Sequence, residues 1–300
     1  MHVESQVLQV AKSALLRPMP AHSRETTTVE VLVIAGFDPS GGAGIDVDRK
    51  AIQDLGGEAE CVATAFTDQD SNAVREIGAR QANLWADEVR DLWKASGGFD
   101  VVKFGLLPGA EHIRAAAKLV GEWKAERPNV RVVVDPVIEA SSGAVFLDAE
   151  GRRALKRELL PRGVILTPNL PELAKLSGTY LEELIEDLDQ RCEAARELSD
   201  LGASAVIVKG GHGDEDPICD LILEPGKRAA WRTHPRVLTA TGKGATIRGT
   251  GCRFASALAL GLGSGLDLAM AVDQAGRYVS ARIAESAGET ASSWDRSPLA

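Results

Sequence analysis

Six short apolar runs, five of them ending in Gly, Pro or Asn, constrain this chain more than any other feature. They are "VLVIAG" (31–36), "CVATAF" (61–66), "DVVKFG" (100–105), "VRVVVDP" (130–136), "GVILTPN" (163–169) and "AVIVKGG" (205–211). Runs that are apolar throughout suit central strands of a parallel sheet covered on both faces. The intervening segments have helical period: Trp85, Val89, Leu92 and Trp93; Ile113, Ala116, Ala117 and Val120; Cys192, Ala195, Leu198 and Leu201. Strand and helix alternating in this way predict a doubly wound α/β fold, a mostly parallel sheet with helices on both faces and right-handed crossovers. "ICDLILEPGKRAAWRTHPRV" (218–237) departs from the pattern, with two strand-like runs about an "EPGK" turn, and predicts an antiparallel hairpin at the sheet's edge. One folded domain is expected over residues 30–286, preceded by an extension (1–29) and followed by a polar tail (287–300). The extension's apolar stretch, "VLQVAKSALL", is interrupted by Lys12 and too short to cross a bilayer, so it reads as a short amphipathic helix.

Charge narrows the partners. With 34 basic and 43 acidic residues the net charge is −9, and no Lys/Arg-rich run occurs. A nucleic-acid partner is therefore not expected, and neither is a membrane; a small molecule fits better. The four cysteines show no CxxC spacing, which argues against zinc or a disulfide framework and for reduced thiols in a cytoplasm. Neither a Walker A sequence nor a G-x-G-x-x-G after the first strand is present.

Ligands of open α/β sheets sit outside the carboxyl ends of the strands, and here those ends are polar and glycine-rich. They read "AGFDPSGGAGIDVD" after the first run, Asp135-Pro136 after the fourth, "TPNLPE" after the fifth and Lys209-Gly210-Gly211-His212 after the sixth. "RGTGC" (248–252) then opens an Ala-rich helix. A helix N-terminus presents unpaired N–H groups and a positive dipole end, and Gly249 and Gly251 leave an anion room to approach, which makes a phosphate cradle. Cys252, in the helix's first turn, is expected to have a lowered pKa there and to accept a proton from an attacking hydroxyl. The same residues also fit a plainer arrangement, a small buried thiol with glycines that serve close helix–strand packing.

In order and approximate spacing, "AGFDPSGGAGIDVDRKAIQDLGG", "VVKFGLL", "VVVDPVIEASSG", "LTPNLPEL", "VIVKGGH" and "RGTGC" resemble the hydroxymethylpyrimidine/phosphomethylpyrimidine kinases of thiamine biosynthesis, of the ribokinase-like superfamily. The resemblance implies ATP-dependent phosphorylation of 4-amino-5-hydroxymethyl-2-methylpyrimidine and of its monophosphate, with Mg²⁺. It implies that Cys252 assists deprotonation of the acceptor while the backbone of Gly249, Thr250, Gly251 and Cys252 stabilises the phosphoryl in flight. Asn169 and Glu172 would organise the metal, with Asn169, Asp135 and Lys209 at the nucleotide phosphates. Gly36, Ala43, Thr67, Leu106 and Val137 would wall the pyrimidine, and Gln69 would hydrogen-bond its amino edge, an amide offering both donor and acceptor. A homodimer with each site largely within one chain is also implied.

The chain departs from the family at Phe37, Asp46, Asp68, Asp70, Ile247 and Arg248. Arg248 is expected to hold a phosphate, on the nucleotide or on the acceptor, while Asp68 and Asp70 would oppose a phosphorylated acceptor. Two other readings stay open: a pyridoxine or pyridoxal kinase, and a catalytically weak paralogue that binds a pyrimidine.

Overall fold

The computed structural model describes residues 28–69, 74–140, 143–238, 245 and 247–287. Its strands are β1 (Glu30–Phe37), β2 (Glu58–Gln69), β3 (Val74–Ala79), β4 (Val101–Phe104), β5 (Arg131–Val134), β6 (Ile165–Leu166), β7 (Ala205–Val208), β8 (Ile218–Leu223) and β9 (Ala230–His234). They form one sheet in the order β3-β2-β1-β4-β5-β6-β7-β8-β9. The stretch from β2 to β7 is parallel, and the pairs β2/β3, β7/β8 and β8/β9 are antiparallel.

The helices are α1 (Gly44–Asp54), α2 (Ala82–Ser96), α3 (Ala110–Glu126), α4 (Ala149–Ala154), α5 (Leu170–Ser177), α6 (Leu181–Glu186), α7 (Leu188–Asp200), α8 (Thr250–Gly263) and α9 (Leu268–Ser286). They divide between the two faces of the sheet, and β1 shows why its sequence is apolar throughout. Leu32 and Ile34 pack with Trp85 of α2, Trp123 of α3 and Leu198 of α7. Val31, Val33 and Ala35 point the other way, toward Ile52 of α1, Leu258 of α8 and Val272 of α9. Successive side chains of a strand alternate faces, so a strand buried on both sides keeps no polar position.

The predicted parallel core and the β8/β9 edge hairpin are both present. Two details differ from the sequence expectation. Leu201 lies past the end of α7 and is exposed, so the buried apolar face of that helix ends at Leu198. β2 also runs beyond Phe66 to Gln69 and pairs with β3, an edge strand that the pattern missed. Within "VREIGA" two residues are charged and Ile77 is half-buried, which suits an edge strand. The expected amphipathic helix within 1–29 falls almost wholly outside the described residues, and so does nearly all of the 287–300 tail.

Candidate active site

The carboxyl ends of the parallel strands open into one cleft of about 760 Å³. Two glycine loops form its centre. After β1, Asp38 makes a turn: its Oδ1 accepts the Ser40 N–H at 2.9 Å and the Ser40 hydroxyl at 2.7 Å. The turn delivers the chain to Gly44, whose φ is +69° and where a Cβ would stand 2.3 Å from the Gly36 carbonyl oxygen. Only glycine serves there. In the second loop Gly249, the N-cap of α8, has φ +72°, and a Cβ would lie 2.7 Å from the Gly42 carbonyl oxygen. The two loops therefore press backbone to backbone. No side chain caps α8, so its first N–H groups and its dipole face the cleft.

Beside that helix end lies a charged group from three strand ends. Lys209 Nζ donates to Asp135 Oδ1 at 2.7 Å and stands 3.9 Å from Glu172 Oε2. A Cβ at Gly251 would sit 3.1 Å from the same Nζ, so this glycine lets α8 approach the ammonium. Burial pushes the Glu172 carboxyl up to about 7, against the pull of Lys209 and with Asp135 adding to the rise. Lys209 is raised: its two carboxylates outweigh the burial that would lower it. Asn169 is the N-cap of α5 in a full capping box: its Oδ1 accepts the Glu172 N–H at 2.8 Å, and Glu172 Oε2 accepts the Asn169 N–H at 2.8 Å. The Asn169 carbonyl and one Glu172 oxygen thus serve the helix first.

Among the described residues no group of three or more His, Cys, Asp or Glu is arranged to hold a metal ion. That donor set still fits magnesium, which keeps most of its waters and takes one or two carboxylates plus substrate phosphates.

The thiol differs from expectation. Cys252 does sit in the first turn of α8 on the cleft wall. Its pKa, however, is pushed up to about 11 rather than lowered, chiefly by burial and then by the Asp48 carboxylate; Asp135 adds to the rise and Lys103 opposes it. The favourable helix end is outweighed by desolvation and two nearby carboxylates.

The sequence reading missed the charges behind it. Lys103 on β4 and Asp48 on α1 form a fully buried ion pair at 2.8 Å, and Ser256 on α8 donates to the other Asp48 oxygen at 2.8 Å. Two signals were available: a lysine inside the apolar run "VVKFG", and an aspartate on the apolar face of α1 between Ile45 and Ile52. A further missed cluster lies at the β8/β9 end. His234 Nε2 is 3.2 Å from Asp220 Oδ2, its Nδ1 is 2.9 Å from Ser280 Oγ, and Asp220 Oδ1 accepts the Gly210 N–H at 2.8 Å, fixing the turn after Lys209.

Most of the remaining expected residues are found around the same cleft. Gly36, Ala43, Thr67, Leu106 and Val137 line it. A Cβ at Gly36 would meet Leu106 Cδ2 at 2.7 Å, so any larger residue there would have to move that leucine. Arg248 spans the two glycine loops, donating to Asp38 and Ser40. The Gln69 backbone ends β2 opposite Val74; its side chain and that of Asp68, and all of Asp70, lie outside the described residues. Asp46 is engaged with Arg49 on the exposed side of α1, and Phe37 packs edge-on against Phe66.

The family model described as "Phosphomethylpyrimidine kinase" matches residues 38–293. The "Thiamine biosynthesis bifunctional protein ThiED" of Geobacter sulfurreducens is 38% identical over 253 residues, which is 84% of this chain and 49% of that protein. The chain thus spans about half of that relative. The "Hydroxymethylpyrimidine/phosphomethylpyrimidine kinase" of Bacillus subtilis is 35% identical over 267 residues, 86% of this chain and 90% of that one. The solved structure of pyridoxal kinase from Staphylococcus aureus in complex with AMP-PCP and pyridoxal is similar with a TM-score of 0.71 at 28% identity, over 86% of this chain and 88% of that chain.

Proposed function

Because this chain belongs to the phosphomethylpyrimidine kinase family, we propose that it phosphorylates 4-amino-5-hydroxymethyl-2-methylpyrimidine and then the resulting monophosphate, using ATP. The observation that carries the reading is the uncapped start of α8, which opens onto the cleft beside Lys209 and Cys252. Phosphoryl transfer depends chiefly on positioning and on charge stabilisation, and both are supplied here by fixed groups. In this reading the N–H groups of Gly249, Thr250, Gly251 and Cys252 receive the phosphoryl in flight, and Lys209, held by Asp135, contacts the donor phosphates as a point charge. Gly36, Ala43, Thr67, Leu106 and Val137 hold the ring, and Gln69 pairs with its amino edge. Magnesium, when bound, would neutralise phosphate charge; Glu172 would meet it with its second oxygen while Asn169 fixes that carboxylate through the capping box. A homodimer and a cytoplasmic location complete the reading; no helix among the described residues is long and apolar enough to cross a membrane.

Cys252 would take the acceptor's proton as thiolate. With the thiol at about 11 that form is scarce at neutral pH, so the rate should climb as pH rises through the neutral and mildly alkaline range. Cys252→Ala should fold normally and lose roughly 10²–10⁴-fold in kcat, the contribution of a positioned base, and its pH dependence should flatten. A coupled ATP/Mg²⁺ assay against the pyrimidine alcohol, its monophosphate and the B6 vitamers tests both points. Turnover of vitamers alone would make the chain a pyridoxal kinase, turnover of nothing a pyrimidine-binding paralogue, and near-wild-type rates in Cys252→Ala would remove the thiol from the chemistry.

A further inference from the structure

Arg248 buckles the two glycine loops together. Its Nη2 donates to Asp38 Oδ2 at 3.0 Å and its Nη1 to Ser40 Oγ at 3.0 Å. The guanidinium lies against Gly42, where a Cβ would come within 2.8 Å of Nη1. One half of the ion pair is sunk and the other is open: the Asp38 side chain is 2% exposed and that of Arg248 is 30% exposed, on the wall of the cleft.

Two features make this pair exchangeable. Asp38 keeps part of its bonding without the arginine, because its Oδ1 holds the Ser40 N–H and hydroxyl bonds whichever way the guanidinium turns, while its Oδ2 gives up the Arg248 contact. The contact to Arg248 also uses one nitrogen and one oxygen, whereas a phosphate can take two parallel N–H bonds and carries a charge of about −1.5 to −2. An arriving phosphate therefore competes well for the guanidinium, and what it gains must exceed the cost of leaving the buried Asp38 Oδ2 without its cation.

The two transfers proposed above make different demands at this spot. In the first, the attacking atom is a neutral hydroxymethyl oxygen that reaches the start of α8. In the second, that oxygen is already esterified, and the attacking atom belongs to the attached phosphate. The acceptor's own anion must then stand at the same helix end, and Arg248 immediately precedes Gly249, the N-cap. We infer that Arg248 is the residue that admits the phosphorylated acceptor: Asp38 holds it during the first transfer and yields it to the acceptor's phosphate for the second. No bond is made or broken in this exchange; one ion pair replaces another. The Asp38–Arg248 pair thereby sets the preference between the alcohol and the monophosphate, an inference that rests on the proposed function.

Steady-state kinetics on both acceptors, for the wild type, Arg248→Ala, Arg248→Lys and Asp38→Asn, test it. Arg248→Ala should raise the KM for the monophosphate relative to that for the alcohol by roughly ten- to a hundredfold, the loss expected for hydrogen bonds to a charged group. Arg248→Lys should recover only part of this, since an ammonium lacks the fork. Asp38→Asn keeps the acceptor oxygen for Ser40 but gives up the competing charge, so it should shift the ratio the opposite way, in favour of the monophosphate. Equal losses on both acceptors in Arg248→Ala would overturn the inference and leave the arginine a buckle between loops. An Asp38→Asn protein that disfavours the monophosphate would overturn it too, because Asp38 would then orient the arginine rather than compete for it. A wild type that phosphorylates neither pyrimidine would instead overturn the function itself, which keeps the two failures apart.

Discussion

At Glu172, on the cleft wall, a helix cap and a candidate metal ligand share one carboxylate, with Oε2 given to the Asn169 N–H. The two roles come apart under substitution. Glutamine also completes a capping box, and it removes a buried group whose carboxyl is held at about 7 instead of in the usual range near 4.5. A raised folded-state value means that the charged form is penalised in the fold, so at about pH 8 the neutral amide should not weaken the protein. Glu172→Gln should therefore match or exceed the wild type in Tm, yet need roughly tenfold or more Mg²⁺ for half-maximal rate. An unchanged metal midpoint would leave Glu172 a cap only. At this scale much of the site was legible, because Asn169, Glu172, Lys209 and the glycines of the α8 start follow strands whose ends are readable from pattern. The Cys252 titration was not legible: the carboxylates that oppose the helix end come from Asp48 and Asp135, 204 and 117 positions away by subtraction of residue numbers.

Between elements, the ion pair of Lys103 and Asp48 ties β4 to α1, and Ser256 extends the tie to α8. The start of α8 and the loop before α1 are thus referenced to the same central strand from beneath. Lys103→Met would leave a buried carboxylate without its cation, and removing one partner of a buried pair costs about 3–5 kcal/mol. Lys103→Met combined with Asp48→Asn should recover most of that, since neutral groups of similar size carry no desolvation penalty. Urea unfolding of the two variants checks this; a single variant as stable as the wild type would mean that Asp48 takes up a proton at little cost. The strands that hold this arrangement were legible because burial on both faces removes every polar position, and a lysine within such a run was the exception that marked the pair. β3 was illegible for the converse reason, as an edge strand whose sequence carries two charges in six residues has the composition of a loop.

Across the whole molecule, burial raises every thiol: Cys61, Cys192, Cys219 and Cys252 are each pushed up to about 11 from an ordinary value of 9.0. The folded chain keeps protons that the unfolded chain releases, so stability is unaffected below the unfolded value and falls as pH rises through the window between the two. Tyr278 is raised as well, by burial and by Asp54, and acts in the same direction. The Tm should decline from about pH 9 to about pH 11, as followed by circular dichroism; a level Tm over that range would show that the thiols titrate alike in both states. The α/β layout was readable at this scale, whereas the allotment of helices to the two faces was not, because it depends on where each crossover turns. That allotment has a consequence for synthesis. One face of the sheet is covered by α1, α8 and α9, and the last two are the final described elements of the chain. A ribosome that has released β1 to β9 therefore holds a sheet with Val33, Val133 and Ile207 bare on one side, a surface inviting chaperones or a wrong partner until α8 arrives.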